Sequence, residues 1–221
     1  MSPKAQPQST CSCDWEDQLA REGFVFVAGV DEVGRGCLAG PVFAAAVILN
    51  RNDIPDGIDD SKKLPRPKRE LLADEIHKRA QAVSIARVEH DEIDRINILQ
   101  ASKLAMKKAV QSLTLVPDAL LIDALTLPDI TCRQHGIIDG DALSVSIAAA
   151  SIVAKVARDA VMREYAKTYP EYSFDTNVGY GTAAHWEALR KFGPTEIHRL
   201  TFRGVANPEE ADNNPTEQSL F

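Results

Sequence analysis

The stretch Gly29-Val30-Asp31-Glu32-Val33-Gly34-Arg35-Gly36 constrains this chain more than any other. An apolar run from Phe24 to Val30 leads directly into two adjacent carboxylates and then a glycine-arginine-glycine turn. Acids that end a buried strand are costly unless they are paired or hold a cation. A turn that exposes backbone N–H groups beside an arginine suits an anionic partner. Metal and phosphate together point to phosphodiester chemistry. Successive strand side chains face opposite ways, so Asp31 and Glu32 can share one site only if the strand ends or bulges there. Standing alone, the pair is equally well read as a turn with two solvated acids.

Composition bears on this reading through charge. The net charge of −7 looks wrong for a nucleic-acid binder until its distribution is considered. Residues 1–22 hold two basic and four acidic side chains, and residues 204–221 hold none and four, which leaves 23 against 24 for the body. Two divalent cations would make that body positive. The length of 221 residues and the 44% apolar content allow one proper core. No run of about 18 apolar residues exists, so no membrane span is expected, and the first residues lack a signal-peptide h-region. Cys11, Cys13, Cys37 and Cys132 show no zinc spacing and read as reduced thiols of a cytoplasmic protein.

Three parts are expected: a flexible segment over 1–22, a catalytic domain over 23–203 and a flexible acidic tail over 204–221. Hydrophobic periodicity predicts strands over 24–31, 41–49, 82–88 and 119–122. It predicts helices over 66–80, 98–113, 144–167 and 182–191, with Leu71, Leu72, Ile76 and Ala80 on one side of the first. Such an order implies an α/β fold, a mixed sheet flanked by helices.

Further candidates lie on these elements. Asp123 ends the apolar Ala119–Ile122 run, and Asp141 precedes the helix that begins near Ser144; Asp139 and Asp159 compete with them. Lys62, Lys63, Arg66, Lys68 and Arg69 form a basic patch able to neutralise phosphates, or a solvated helix entry. Ser151, Lys155 and Asp159 recur every four residues through an apolar helix, as a substrate-facing stripe or as a Lys155–Asp159 surface pair. Tyr180, between Gly179 and Gly181, can stand exposed and stack on a sugar or base, or pack on the core as an ordinary loop aromatic.

Taken together, these stretches resemble bacterial ribonuclease HII over roughly residues 24–202. The likeness rests on Gly29 to Gly36, Asp60-Ser61-Lys62-Lys63-Leu64, Leu121-Ile122-Asp123, Gly140-Asp141, Ala149 to Asp159, Gly179-Tyr180-Gly181 and His198-Arg199, in that order. The resemblance implies a ribonuclease H-like fold with a C-terminal helical portion. It places the catalytic and metal-holding carboxylates at Asp31, Glu32, Asp123 and Asp141, with two divalent cations, Mg²⁺ or Mn²⁺, between them. It implies endonucleolytic hydrolysis of the RNA strand of RNA–DNA hybrids and incision 5′ of single ribonucleotides in duplex DNA, leaving 3′-hydroxyl and 5′-phosphate ends. Gly34, Arg35 and Gly36 would read the 2′-hydroxyl. Tyr180 would stack on the following deoxyribose, and Lys62, Lys63, Ser151 and Lys155 would meet phosphates. His185 and Arg199 receive no role.

The last residues, Glu217 to Phe221, are similar to the short peptides by which replication proteins bind a sliding clamp; a monomer is expected otherwise. Two rival readings remain. Gly34-Arg35-Gly36-Cys37-Leu38-Ala39 fits the spelling of a dinucleotide-binding turn, but Pro41 interrupts the helix that turn requires and the two acids would repel a pyrophosphate. A catalytically silent binding module would gain nothing from clustered negative charge.

Overall fold

The computed structural model describes residues 11–209. A five-stranded mixed sheet in the order β3-β2-β1-β4-β5 forms its centre. Strands β1 (Val27–Val33), β2 (Val42–Ile48) and β3 (Ala82–Val88) run as an antiparallel meander. Strands β4 (Ala119–Asp123) and β5 (Arg133–Ile137) add in parallel on the other side of β1. All seven residues of β2 are buried because both faces of the sheet are covered.

Helix α4 (Ile98–Gln111) covers one face, burying Ala101, Ala105, Met106, Ala109 and Val110 against Ala28, Val30, Ala44 and Ala46. The side chain of Asn97 starts it, accepting from the Gln100 amide at 3.1 Å. On the opposite face lie α2 (Arg66–Arg79) and the 24-residue α6 (Val145–Thr168). The Ser144 hydroxyl caps α6 by accepting from the Ile147 amide at 3.3 Å. Gly29 lets α6 lie directly on β1, since a Cβ there would fall 2.0 Å from the Ser146 carbonyl carbon. Beyond α6, a 3-10 turn (Pro170–Tyr172), α7 (Phe174–Asn177) and α8 (Ala183–Phe192) enclose a second small core with Leu38, Met162, Phe174, Leu189 and Ile197. The α/β sheet with flanking helices and a helical C-terminal portion is the expected architecture.

Several boundaries differ from the sequence reading. Residues 14–21, expected in a flexible segment, form α1 (Asp14–Arg21). Leu19 seats this helix in a core with Val27 and Leu121. Its Glu16 carboxylate accepts the Ser144 hydroxyl at 2.6 Å and the Ser146 amide at 3.0 Å, tying it to the start of α6. Val205, assigned to the acidic tail, is fully buried. Leu71 is 62% exposed, and Ala73 takes the inward place beside Leu72 and Ile76. Helices α3 (His90–Ile96) and α5 (Gly140–Leu143) and strand β5 were not foreseen. Among the described residues no helix is long and apolar enough to cross a membrane. No disulfide joins the four cysteines.

Candidate active site

The four expected acids gather at one end of the sheet. Strand β1 neither ends nor bulges at Asp31: its pairing with β2 continues through Asp31↔Ala45 and Glu32↔Ala44 to Val33↔Phe43. Its pairing with β4 stops at Val30↔Ile122. Space at the site therefore comes from the end of β4, which delivers Asp123 beside Asp31. Strand alternation puts Asp31 and Asp123 on the α6 face with Val27 and Leu121, and sends Glu32 the other way. Asp141 arrives from α5, just after β5.

Asp31 is buried and its carboxyl is held well above the usual range, first by burial and then by the charges of Glu32 and Asp123. A hydrogen bond from Ser151 works the other way. Burial pushes Glu32 up to about 7; Arg35, 3.7 Å away, opposes this and Asp123 adds to it. Asp123 is raised by burial and by Asp141, while the Gly140 amide, donating to Oδ1 at 2.8 Å, steadies its charged form. Lys62 Nζ reaches Asp141 Oδ2 at 3.1 Å and supplies positive charge to the group. Among the described residues no three His, Cys, Asp or Glu side chains are already drawn into a cluster that could hold a metal ion. The donor set nonetheless fits hard divalent cations: it is all carboxylate oxygen, and its members raise one another's proton affinity.

Asp159, a competing acid, is engaged elsewhere: it accepts from Lys155 Nζ at 2.8 Å and faces Arg69 at 3.6 Å. Asp139 is exposed and acts on Asp123 only through its charge. Of the basic patch, Lys62 and Lys63 remain more than half exposed. Arg69 turns inward to the carbonyls of Ser61 and Leu64. Ser151 meets Ser61 at 2.9 Å. Tyr180 is 41% exposed, with Lys155 Nζ 5.8 Å from its ring centre.

The turn itself divides into two kinds of glycine. Gly34 is buried with φ +90°, and a Cβ there would lie 2.0 Å from Arg158 Nε, so its place is set from inside the protein. Gly36 is exposed with nothing within 4 Å of a Cβ, so only this glycine leaves its outer side open to a ligand.

The family profile for ribonuclease HII matches residues 28–205. The chain belongs to the ribonuclease HII family. The Bacillus subtilis (strain 168) ribonuclease HII is 56% identical over 190 residues, which is 86% of this chain and 74% of that one. The ribonuclease H2 of Pyrococcus horikoshii superposes with a TM-score of 0.69 at 25% identity, covering 84% of this chain and 98% of that one. A ribonuclease HII of Archaeoglobus fulgidus, solved in complex with PCNA, gives 0.71 at 25%, covering 81% and 96%. As a ribonuclease HII, the chain is a metal-dependent endonuclease that cleaves the RNA of RNA–DNA hybrids.

Sequence reasoning missed two parts of this ribonuclease HII. Arg158 is fully buried, although its neighbours in α6 read as core and surface stripe. His185 and His198 pair below the Tyr180 loop, Nε2 to Nε2 at 3.0 Å. The Thr195 amide donates to His198 Nδ1 at 2.9 Å, which puts the His198 proton on Nε2. That proton is donated to His185 Nε2, so His185 carries its own on Nδ1 and donates it to the Tyr180 carbonyl at 2.9 Å. Both rings are then neutral. Burial, followed by the His185 neighbour, lowers His198 from 6.5 to about 4. Between those values the unfolded chain binds the proton more readily, so this pair costs stability as pH falls from 6.5 toward 4. The stability lead of the unaltered protein over His198→Gln should therefore shrink by about 3 kcal/mol across that range. Denaturant melts at pH 7 and 4.5 check this; a constant difference contradicts the neutral pair.

Proposed function

We propose that this ribonuclease incises duplex DNA 5′ of a single embedded ribonucleotide, at a site where Asp31, Glu32, Asp123 and Asp141 hold two divalent cations. One observation carries the junction reading: α6 joins the acids to an exposed aromatic by a continuous line of contacts. Ser151 on α6 neighbours Asp31, Lys155 one turn on lies against Tyr180, and the Leu38 amide donates to the Gly179 carbonyl at 2.8 Å. Asp31, the Gly34–Gly36 turn and Tyr180 are thus tied together through α6 and the loop after β1. Tyr180 can take the sugar after the ribonucleotide, while the open side of Gly36 admits the 2′-hydroxyl that alone marks RNA at one position.

Bound Mg²⁺ or Mn²⁺ would supply the Lewis acidity that activates water and stabilises the leaving 3′ oxygen. The protein's own part is positional. Gly140 N–H fixes one Asp123 oxygen, Ser151 favours the charged form of Asp31, and Lys62 and Lys63 offer cations to the incoming backbone. The PCNA complex of the Archaeoglobus fulgidus relative supports extending the proposal to a sliding-clamp contact. The segment proposed for it here, Glu217–Phe221, lies outside the described residues.

A labelled DNA duplex containing one ribonucleotide tests the junction reading. Tyr180→Ala should lower kcat/KM on it about 10- to 100-fold, the worth of one stacking contact, with little change in Tm because the ring is half exposed. A parallel loss of Tm, or unchanged cleavage, would favour a packing role.

A further inference from the structure

Arg158 and Arg199 are the two largest fully buried side chains among the described residues. Neither forms a salt bridge among the described residues. A buried guanidinium without a carboxylate is costly, and it persists where other acceptors satisfy it. Here the acceptors are backbone carbonyls of two loops. Arg199 donates from Nη2 to Gly34 at 2.8 Å, from Nη1 to Arg35 at 2.9 Å and from Nε to Gly40 at 2.9 Å. Arg158 donates from Nε to Pro41 at 3.0 Å, from Nη2 to Ala39 at 3.1 Å and from Nη1 to Val178 at 2.8 Å. Arg199 therefore closes the loop that carries the Gly34–Gly36 turn. Arg158 bolts that loop to the segment leading into Tyr180.

The glycines agree with this reading. Gly34 lies on the Arg158 side chain, and a Cβ on Gly179 would come within 3.3 Å of Arg158 Nη2. Carbonyls drawn inward at Gly34 and Arg35 leave the outer side of the turn to amide N–H groups, which suits a hydroxyl or a phosphate.

We propose that Arg158 and Arg199 are positioning residues that set the spacing between the Gly34–Gly36 turn and Tyr180, and so determine selectivity for a ribose followed by a deoxyribose. This rests on the junction reading above. A guanidinium fork can span three carbonyls in a plane; an ammonium cannot, although it keeps the charge. Substitution by lysine therefore loosens the spacing without removing the charge.

The test is the ratio of kcat/KM on a duplex with one embedded ribonucleotide to kcat/KM on a continuous RNA–DNA hybrid. It is measured for the unaltered protein, Arg158→Lys and Arg199→Lys, with Tm followed for each. A tenfold or greater fall in the ratio for Arg158→Lys, with a smaller fall for Arg199→Lys, is expected. Equal losses on both substrates would overturn the proposal, since that is what a general loosening of the fold does. Should a lysine variant not fold, the guanidinium Nε–H signals of the unaltered protein give the answer by NMR in Ca²⁺. Both should shift on adding the ribonucleotide duplex and not on adding the all-DNA duplex; identical shifts overturn the proposal. If the unaltered protein does not prefer the embedded ribonucleotide, the junction reading fails first, and the two failures are thereby told apart.

Discussion

Asp123→Asn is expected to cut cleavage of an RNA–DNA hybrid by about a thousandfold, a barrier increase of ~4 kcal/mol, while leaving the protein folded and no less stable. The two effects have opposite signs for one reason. Asp123 lies among carboxylates that raise its proton affinity, so its charge is a burden on the metal-free fold. Asparagine keeps an Oδ1 to accept the Gly140 amide and removes the charge. What is lost is an anionic oxygen for a cation. If the acids act as one metal-binding unit, as proposed, a second substitution such as Asp31→Asn should add little further loss. Steady-state cleavage and thermal melts of the single and double variants check this. A loss of only a few-fold, or a clear fall in Tm, would remove Asp123 from the proposed ligand set.

The second large effect concerns the fold. Gly29→Ala should destabilise the protein by about 4 kcal/mol, at the upper end for a single substitution. The added methyl would sit 2.0 Å from Ser146 C and 2.5 Å from Ile147 N, both backbone atoms that cannot rotate away. Helix α6 must then move off β1, carrying Ser151 away from Asp31. Chemical denaturation reads the loss directly. A cost below about 1 kcal/mol, the range of tolerated surface changes and small core swaps, would show that the helix is not seated as closely as described.

The sequence was most legible where burial is complete on one or both faces. Strand β3 and the starts of α2 and α4 fall at the expected residues: alternation marks β3, Pro67 in the first turn marks α2, and an apolar stripe marks α4. The set Asp31, Glu32, Asp123 and Asp141 came from the family resemblance; pattern alone left Asp139 and Asp159 in competition, and a single acid at the end of a buried strand, such as Asp123, was only a weak signal. What stayed hidden was held by contacts distant in sequence. Helix α1 has one deep core residue, Leu19, and owes its place to Glu16 reaching across to Ser144 and Ser146. Strand β5 is an edge strand whose residues are mostly exposed or half-buried, so alternation gives no signal. Arg158 looked like one more polar residue in an amphipathic helix, since its acceptors lie on loops 117 to 119 residues earlier and 20 later. Nor does the sequence show that Gly34 answers to its φ of +90° and to the Arg158 side chain, while the open approach belongs to Gly36.

Calorimetric titration of the protein with Mn²⁺ in the absence of substrate tests most directly whether Asp31, Glu32, Asp123 and Asp141 form one cation site. Saturable binding is predicted, weakened at least tenfold in Asp31→Asn and in Asp141→Asn. Binding that is absent, or equally strong in both variants, would contradict the account of this site.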